Sequence, residues 1–310
     1  MNIKKTLLQI LAIGLLPLAT FAQAPKPDGS AQHPLRVMLI PADGGTEDGT
    51  IADFQPIFNA VTRSTDIHFD IRVGQSYGAV VEAMSNELVD VAFFGPISYL
   101  QARKRGGAEL LAVAVSKGES VYYAGIFVPA DSDIQKLEDL KGRSVAFGDV
   151  NSTSSFTYQV ALMLQNDIDP ARDLGKIRMT GSHANSLGAL TSGQVDAACF
   201  SFDSYLKAVN AGAIDPKSIR VLVKSDPIPY PPLAMHPKLD KETRAKLRAA
   251  FDSIHKTEGV TPDMIRGYGG KKVDRYDGYF SEEIFTKAGE ALAAVTNDVR
   301  GAMLRRASER

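Results

Sequence analysis

The feature that most constrains this chain is a regular alternation of short apolar segments with segments of helical periodicity. In the first part of the chain the order is strand 37–40, helix 52–61, strand 68–73, helix 77–88, strand 89–94 and helix 97–104. Apolar residues at every position or every second position indicate strands, whereas a spacing of three or four indicates helices. Strands that alternate with helices favour a parallel, doubly wound α/β sheet.

The same alternation then starts again further along the chain. The second series consists of strand 121–128, short helix 134–140, strand 144–147, helix 154–166, strand 177–180, helix 184–192 and strand 195–200. A strand at 219–224 then leads through Pro227 and Pro229 to helices predicted at 241–255 and 282–305. At roughly 100–150 residues per domain, a chain of 310 residues has room for two such units.

We therefore predict an α/β fold of two lobes, each with a parallel or mixed sheet flanked by helices. Lobe 1 is predicted to be discontinuous, formed by residues 35–122 and 226–310, and lobe 2 to span residues 123–225. The C-terminal helices are expected to return to lobe 1. Two chain crossings, near Tyr123 and Val223, are expected to form a hinge.

The N-terminus has the three-part layout of a secretory signal peptide. Two lysines precede a mostly apolar run at residues 7–18, and small residues follow it. We place the cut after Ala22, giving a signal peptide of residues 1–22, because a cut after Ala24 would leave Pro25 beyond the scissile bond. The run is shorter than the roughly 20 residues that cross a bilayer. With no cysteine near the cut to carry a lipid, these features predict a freely diffusing periplasmic protein.

Composition excludes several classes of function. The formal net charge is −1 at pH 7, and removing residues 1–22 takes away two lysines and no acid, so nucleic acid is not an expected partner. Cys199 is the one cysteine, so no internal disulfide can form. The five histidines show no metal-like spacing, and no hydrolase, zincin or nucleotide-binding motif occurs. We predict no metal, no cofactor and no enzymatic activity.

Three consecutive hydroxyl residues, Ser152, Thr153 and Ser154, follow the strand 144–147 and begin a helix. Free backbone N–H groups and the positive end of the helix dipole favour an anion at such a position. Serine and threonine are also the ordinary residues for capping a helix, and the spacing alone favours that interpretation. Three hydroxyls in a row nevertheless exceed what one cap needs.

Several segments together resemble the periplasmic phosphonate- and phosphite-binding proteins of ABC importers. They are residues 89–99 (VDVAFFGPISY), 140–147 (LKGRSVAF), 151–154 (NSTS), 181–183 (GSH) and 195–198 (VDAA). The 151–154 run and the downstream 181–183 run carry most of the specificity, whereas 140–147 is shared by many solute-binding families. The resemblance covers nearly the whole chain after the signal peptide, and it implies the type II periplasmic-binding-protein fold.

The resemblance also implies a binding site for a small oxyanion. His183, Tyr77 and Tyr122 match family positions that contact the ligand, together with the 152–154 triplet, and Ser98 would place a hydroxyl and nearby amides at the start of the first-lobe helix. On the residues alone, His183 and Ser98 are equally well interpreted as caps and the tyrosines as core residues. This chain departs from the family at Ser155, where glycine is usual, and we expect the backbone to approach the anion less closely there.

A second departure concerns the organic part of the ligand. Family members that prefer aminoalkyl phosphonates carry two carboxylates around the ammonium group. Asp203 matches the first position with a shorter side chain, and Pro231 replaces the second carboxylate. A buried cation needs paired charge. The resemblance therefore implies a preference for phosphite, phosphate or methylphosphonate over 2-aminoethylphosphonate.

These expectations combine into an extracytoplasmic binding protein that captures a small phosphorus oxyanion. We expect it to be a monomer that delivers its ligand to an ABC permease in the inner membrane. One alternative is a periplasmic sensor subunit that presents the same ligand to a two-component system. Another is a periplasmic enzyme acting on a phosphorus ester, which would need a base or metal beside the triplet, where the sequence offers only His183.

Overall fold

The computed structural model describes residues 26–42 and 47–309, so the predicted signal peptide lies outside the described residues. The strands in chain order are β1 (Leu35–Leu39), β2 (Phe69–Val73), β3 (Val91–Phe93), β4 (Glu109–Val115), β5 (Val121–Tyr122), β6 (Ala124–Pro129), β7 (Ser144–Phe147), β8 (Lys176–Met179), β9 (Ala197–Ser201), β10 (Ile219–Lys224), β11 (Ile228–Pro229), β12 (Pro232–Met235) and β13 (Arg275–Asp277).

The helices in chain order are α1 (Glu47–Thr65), α2 (Tyr77–Ser85), α3 (Pro96–Gly106), α4 (Tyr158–Gln165), α5 (Pro170–Asp173), α6 (His183–Thr191), α7 (Phe202–Asn210), α8 (Lys241–Ser253), α9 (Glu283–Ala291) and α10 (Asn297–Ser308). A π-helical turn, Thr153–Thr157, leads into α4. Short 3₁₀ turns lie at Leu137–Leu140, Ile254–Lys256, Pro262–Met264 and Tyr268–Gly270.

Lobe 1 is built around a mixed sheet in the order β13-β4-β12-β3-β1-β2. β1 runs parallel to β2 and β3, as the strand–helix alternation predicts. β12 enters antiparallel between β3 and β4, and β13 pairs antiparallel with β4. In β1 the alternate residues Leu35, Val37 and Leu39 are buried, which fixes the register of this strand in the core.

Lobe 2 is built around a second mixed sheet in the order β10-β6-β9-β7-β8. β7 is parallel to β8 and β9, whereas β6 is antiparallel to both β9 and β10. Phe127 and Phe200 stack with ring centroids 4.0 Å apart, and both are fully buried. Parallel strands place their carboxyl ends at one edge, and the loops after β7 and β8 therefore emerge together toward lobe 1.

The chain passes between the lobes at two adjacent antiparallel segments. β5 pairs with β11, and beyond that pair the Ala124 N–H donates to Ser225 Oγ at 2.9 Å while the Ser225 N–H donates to the Ala124 carbonyl at 2.8 Å. These crossings lie beside the predicted hinge positions Tyr123 and Val223. Motion about them stays a prediction.

The C-terminal segment departs from the expectation that it packs on lobe 1. It forms two helices, not one, and α9 contacts α3 in lobe 1 whereas α10 contacts β8 and α5 in lobe 2. Leu292, Val295 and Met303 are buried in the lobe 2 core. The expectation was wrong for α10 because helical periodicity shows which face is buried but not which surface covers it. The predicted lobe limits otherwise stay a prediction.

Two further features bear on function. None of the helices in the part of the chain described is long and apolar enough to cross a membrane. Cys199 lies fully buried in β9, and burial raises the pKa of its thiol, so it is inert as a nucleophile.

Candidate functional site

A small cavity lies between the two lobes. Its lining consists of Ile40, Ala42, Tyr77, Gly95, Tyr122, Pro231 and Tyr268 from lobe 1 and the β5–β11 crossing, and of Ser152, Thr153, Ser154 and His183 from lobe 2. Six of the eight predicted ligand-binding residues therefore line one cavity. Its volume of about 10 Å³ is just enough for the centre of one water-sized sphere, so the two lobes lie close together around it.

The hydroxyl triplet combines the two interpretations that the sequence left open. Ser152 is an N-cap, since its Oγ accepts the Ser155 N–H at 3.2 Å. Its carbonyl accepts the Thr157 N–H at 3.0 Å, which produces the π-helical turn. Capping uses only a lone pair of the Ser152 hydroxyl, so its hydrogen can still be donated. The triplet caps the turn and also presents donors to the cavity.

Thr153 and Tyr122 join the lobes within the cavity wall. Thr153 Oγ1 accepts the Ile97 N–H, at the start of α3, at 2.9 Å. The Tyr122 hydroxyl is hydrogen-bonded to the side chains of Ser154 and Thr153, and burial raises its pKa. The phenol therefore stays protonated at neutral pH. The hydroxyl groups at this end of the cavity are uncharged.

His183 is the first residue of α6 and is held in one tautomer. Its Nδ1 accepts the Ser201 N–H at 3.0 Å, which leaves the ring hydrogen on Nε2. Burial lowers the pKa of His183 to about 3, so the ring is neutral. The His183 backbone N–H donates to the Ala42 carbonyl of lobe 1 at 3.0 Å. A neutral imidazole with one N–H to donate thus lines the cavity, a better match to a binding role than to a base.

Two serines predicted to affect the site do not line the cavity. The Ser98 hydroxyl is fully buried and donates to the Gly95 carbonyl at 3.0 Å, so Ser98 stabilises the first turn of α3. Ser155 Oγ has no hydrogen-bond partner among the described residues and lies beside Gly148, where an added Cβ would stand 2.2 Å from it. Gly148 makes room for Ser155, whose side chain is not in the lining.

Asp203 is also absent from the lining described for the cavity, because its carboxylate has another partner. Asp203 Oδ1 lies 3.1 Å from Lys271 Nζ, and the aspartate side chain is 7% exposed. Burial raises the pKa of Asp203, and Lys271 acts in the opposite direction. In a second pair the cation is on α7 and the carboxylate on lobe 1, since Lys207 Nζ lies 2.5 Å from Asp53 Oδ2. Both pairs join α7 of lobe 2 to lobe 1.

Asp149 and Arg300 fix the loop that carries the triplet. Asp149 accepts the Tyr77 N–H at 3.2 Å and the Asn151 N–H at 2.7 Å, and burial raises its pKa. Arg300, on α10, donates to the Val150 carbonyl and, at 3.2 Å, to the Thr157 hydroxyl. The loop is therefore held from lobe 1 on one side and from the C-terminal helix on the other.

Sequence reasoning missed Tyr268, Lys271, Asp149 and Arg300. Tyr268 lines the cavity, and its hydroxyl lies 3.1 Å from Ser201 Oγ and 3.0 Å from Ser204 Oγ. An aromatic residue inside the glycine-rich turn 267–270 was a usable signal for Tyr268. Among residues 26–42 and 47–309, no group of three or more metal-binding side chains is assembled.

Comparisons with known proteins identify the family of this chain. Residues 45–274 match the family model described as "ABC transporter, phosphonate, periplasmic substrate-binding protein". The chain is 29% identical over 229 residues to the phosphate-import protein PhnD of Mycolicibacterium smegmatis, covering 70% of each chain. It is 26% identical over 207 residues to the phosphonates-binding periplasmic protein of Escherichia coli, covering 65% of this chain and 61% of that protein.

Solved structures show the same fold. The binding-protein component of a phosphonate ABC transporter from Pseudomonas aeruginosa superposes with a TM-score of 0.70 at 19% identity, covering 88% of this chain and 99% of that chain. PhnD1 from Prochlorococcus marinus, solved in complex with methylphosphonate, gives a TM-score of 0.71 at 17% identity, covering 84% and 98%. The α/β, two-lobed type II periplasmic-binding-protein fold is confirmed.

Proposed function

Since the chain belongs to the family of periplasmic substrate-binding proteins of phosphonate ABC transporters, we propose that it captures a small phosphorus oxyanion for an ABC permease in the inner membrane. Members of this family bind and deliver substrates, so the chain is not an enzyme. The proposed ligand is phosphite, phosphate or a small phosphonate. The proposed contacts are Ser152, Thr153, Ser154, His183, Tyr77 and Tyr122.

The observation that carries this proposal is the convergence of uncharged donors on one small cavity between the lobes. Hydroxyls of the triplet and of Tyr122 surround it, with the His183 Nε2–H beside them. Hydrogen bonds to an anion are stronger than those between neutral groups. Several such bonds can satisfy an oxyanion without a cationic side chain in the site. A buried cation would be left without a partner when the ligand is released.

The charged groups near the loop support the same interpretation. The Arg300 guanidinium contacts the back of the triplet loop through Val150 and Thr157. Asp149 lies on the same loop, and its charge offsets that of Arg300. Neither residue lines the cavity, so the loop brings no net charge to it. We infer that Ser98 and Asp203 act indirectly, Ser98 by holding the start of α3 and Asp203 through its ion pair.

The cavity wall supports a ligand with little or no organic tail. No carboxylate is among the lining residues described, so a ligand ammonium would find no charge partner in the wall. Pro231 and the rings of Tyr122 and Tyr268 form the adjacent wall, the two rings lying edge to face with centroids 6.1 Å apart. We propose that phosphite, phosphate and methylphosphonate bind more tightly than 2-aminoethylphosphonate.

A calorimetric titration with five compounds tests the proposal. The protein, freed of bound ligand by unfolding and refolding, is titrated with phosphite, phosphate, methylphosphonate, 2-aminoethylphosphonate and, as a control oxyanion, sulfate. We expect at least one of the first three to bind in the micromolar range or tighter and sulfate to bind far more weakly. If no phosphorus compound binds better than sulfate, the proposed function is wrong.

A further inference from the structure

The ion pair between Asp203 and Lys271 has an unusual distribution of exposure. The aspartate side chain is 7% exposed, whereas the lysine side chain is 43% exposed. The ammonium therefore reaches in from the solvent side to a carboxylate that is almost completely buried. A buried carboxylate is costly unless a cation compensates it. In this protein Lys271 supplies that cation.

The pair lies on elements whose neighbouring residues line the cavity. Asp203 is in the first turn of α7, between Ser201 and Ser204, whose hydroxyls contact the Tyr268 hydroxyl. Lys271 follows Tyr268 by three residues. The Asp203 charge also acts on the Tyr122 hydroxyl, whose pKa it helps to raise. Asp203 is thus placed behind the cavity wall, one residue from a serine that contacts the lining residue Tyr268.

A carboxylate in this position has two possible cationic partners, one from the protein and one from a ligand. We propose, building on the function proposed above, that Lys271 is a specificity-determining residue that occupies the place of a ligand ammonium beside Asp203. With Lys271 present, a ligand with a cationic tail finds the carboxylate already neutralised and meets a second positive charge. The site therefore favours oxyanions with no tail or an uncharged tail.

The remaining surroundings reinforce this role for Lys271. Pro231 lines the cavity beside Tyr122 and Tyr268, and its side chain accepts no ammonium. The second pair, Lys207 with Asp53, is likewise internally neutralised. Neither carboxylate of the two pairs described between α7 and lobe 1 is left for a ligand cation.

The test compares two ligands that differ only in their tails. Affinities for methylphosphonate and 2-aminoethylphosphonate are measured by calorimetry at pH 8 for the unaltered protein, for Lys271→Met and for Lys271→Gln. We expect both variants to shift the affinity ratio toward the amino compound by about tenfold to a hundredfold, the range of one charge-assisted hydrogen bond. Adding Asp203→Asn to Lys271→Met should remove the shift.

Lys272→Met is the matched control, because Lys272 is the adjacent lysine and pairs with the exposed Asp263. It should leave the ratio unchanged. Asp203→Asn alone provides a test that does not depend on how well the lysine variants fold. If Asp203 is already neutralised, this variant should not weaken 2-aminoethylphosphonate relative to methylphosphonate, and a selective weakening of tenfold would contradict the proposal.

The outcomes separate this inference from the proposed function. If the unaltered protein binds none of the phosphorus oxyanions, the proposed function is wrong and the inference falls with it. If the unaltered protein binds methylphosphonate but folded Lys271 variants keep the same ligand ratio, Lys271 does not determine specificity and the proposed function stands. Thermal unfolding of each variant confirms that folded proteins are compared.

Discussion

The two ends of the interlobe cleft use opposite electrostatic strategies. At one end Ser152, Thr153, Ser154, Tyr122 and His183 present neutral donors to the cavity. At the other end, α7 is joined to lobe 1 by full charges that neutralise one another. We propose from this difference that the protein keeps an uncharged surface for the ligand and places its ion pairs where the lobes meet. The following predictions test this division.

The largest expected effect is at the neutral end. Replacing Ser152 or Thr153 by alanine should weaken oxyanion binding by about 1.5–3 kcal/mol each, the range for hydrogen bonds to charged groups. Thr153→Ala also leaves the Ile97 N–H without its 2.9 Å partner. Calorimetry with the tightest ligand of the panel measures both losses.

Two control variants separate binding from folding. Thr191→Ala removes an exposed hydroxyl on α6 and should change neither property. Asp240→Ala removes the N-cap of α8 and should lower the free energy of unfolding by about 1 kcal/mol without changing affinity. Losses of less than a few tenths of a kcal/mol in affinity for both Ser152→Ala and Thr153→Ala would mean that the triplet is only a cap.

A second effect at the neutral end, on stability instead of binding, is expected in the pH dependence of unfolding, through His183. Burial lowers its pKa from 6.5 to about 3, so between these values the unfolded chain binds a proton that the folded protein does not. The free energy of unfolding should therefore fall as the pH falls from about 6.5 toward 3, by at most about 1.4 kcal/mol per pH unit from this residue. Above pH 6.5 the contribution is fully present.

Denaturant titrations from pH 7 to pH 4 on the unaltered protein and on His183→Gln measure this contribution as a difference, in which the other titrating groups largely cancel. The unaltered protein should lose stability more steeply on acidification. Equal slopes would show that the ring is not buried in its neutral form. A steeper slope in His183→Gln would contradict the sign of the pKa shift.

The smallest effect is expected at the charged end. Asp53→Asn breaks the pair with Lys207 and should weaken ligand binding by about 0.2–1 kcal/mol, because partly exposed ion pairs contribute little.

Small-angle scattering should show a lower radius of gyration with saturating ligand, as expected for hinge closure. The ligand-free variant should be at least as extended as the ligand-free protein. An unchanged radius on ligand addition would count against closure.

Much of the fold could be predicted because its signals are local. The predicted strands 144–147 and 219–224 coincide with β7 and β10, since each is a short β-rich run with clear boundaries. β4 and β12 were missed as strands of the first sheet, although both are almost wholly buried and apolar. A strand–helix alternation does not show that a strand from a distant part of the chain, such as β12, inserts antiparallel into the sheet.

The site was predictable where a motif lies at the end of a strand. The 152–154 triplet and His183 come within a few residues of the ends of β7 and β8, and these parallel strands bring them to one edge. Lys271 and Arg300 could not be found in this way, because each reaches the site from a segment far away in the sequence. The position of Asp203 could be matched from the sequence, but its ion-pair partner Lys271 could not.

The contact between α10 and the triplet loop has a consequence for how the protein folds. Arg300 lies 150 residues after Val150, whose carbonyl it contacts, so this contact has very high sequence separation. Contacts of this kind form late, because their loop-closure entropy is paid before they contribute. Residues 123–225 made as a fragment would contain the triplet and His183 but lack the helix that completes their core. The triplet loop should therefore reach its native conformation only when the whole chain has folded.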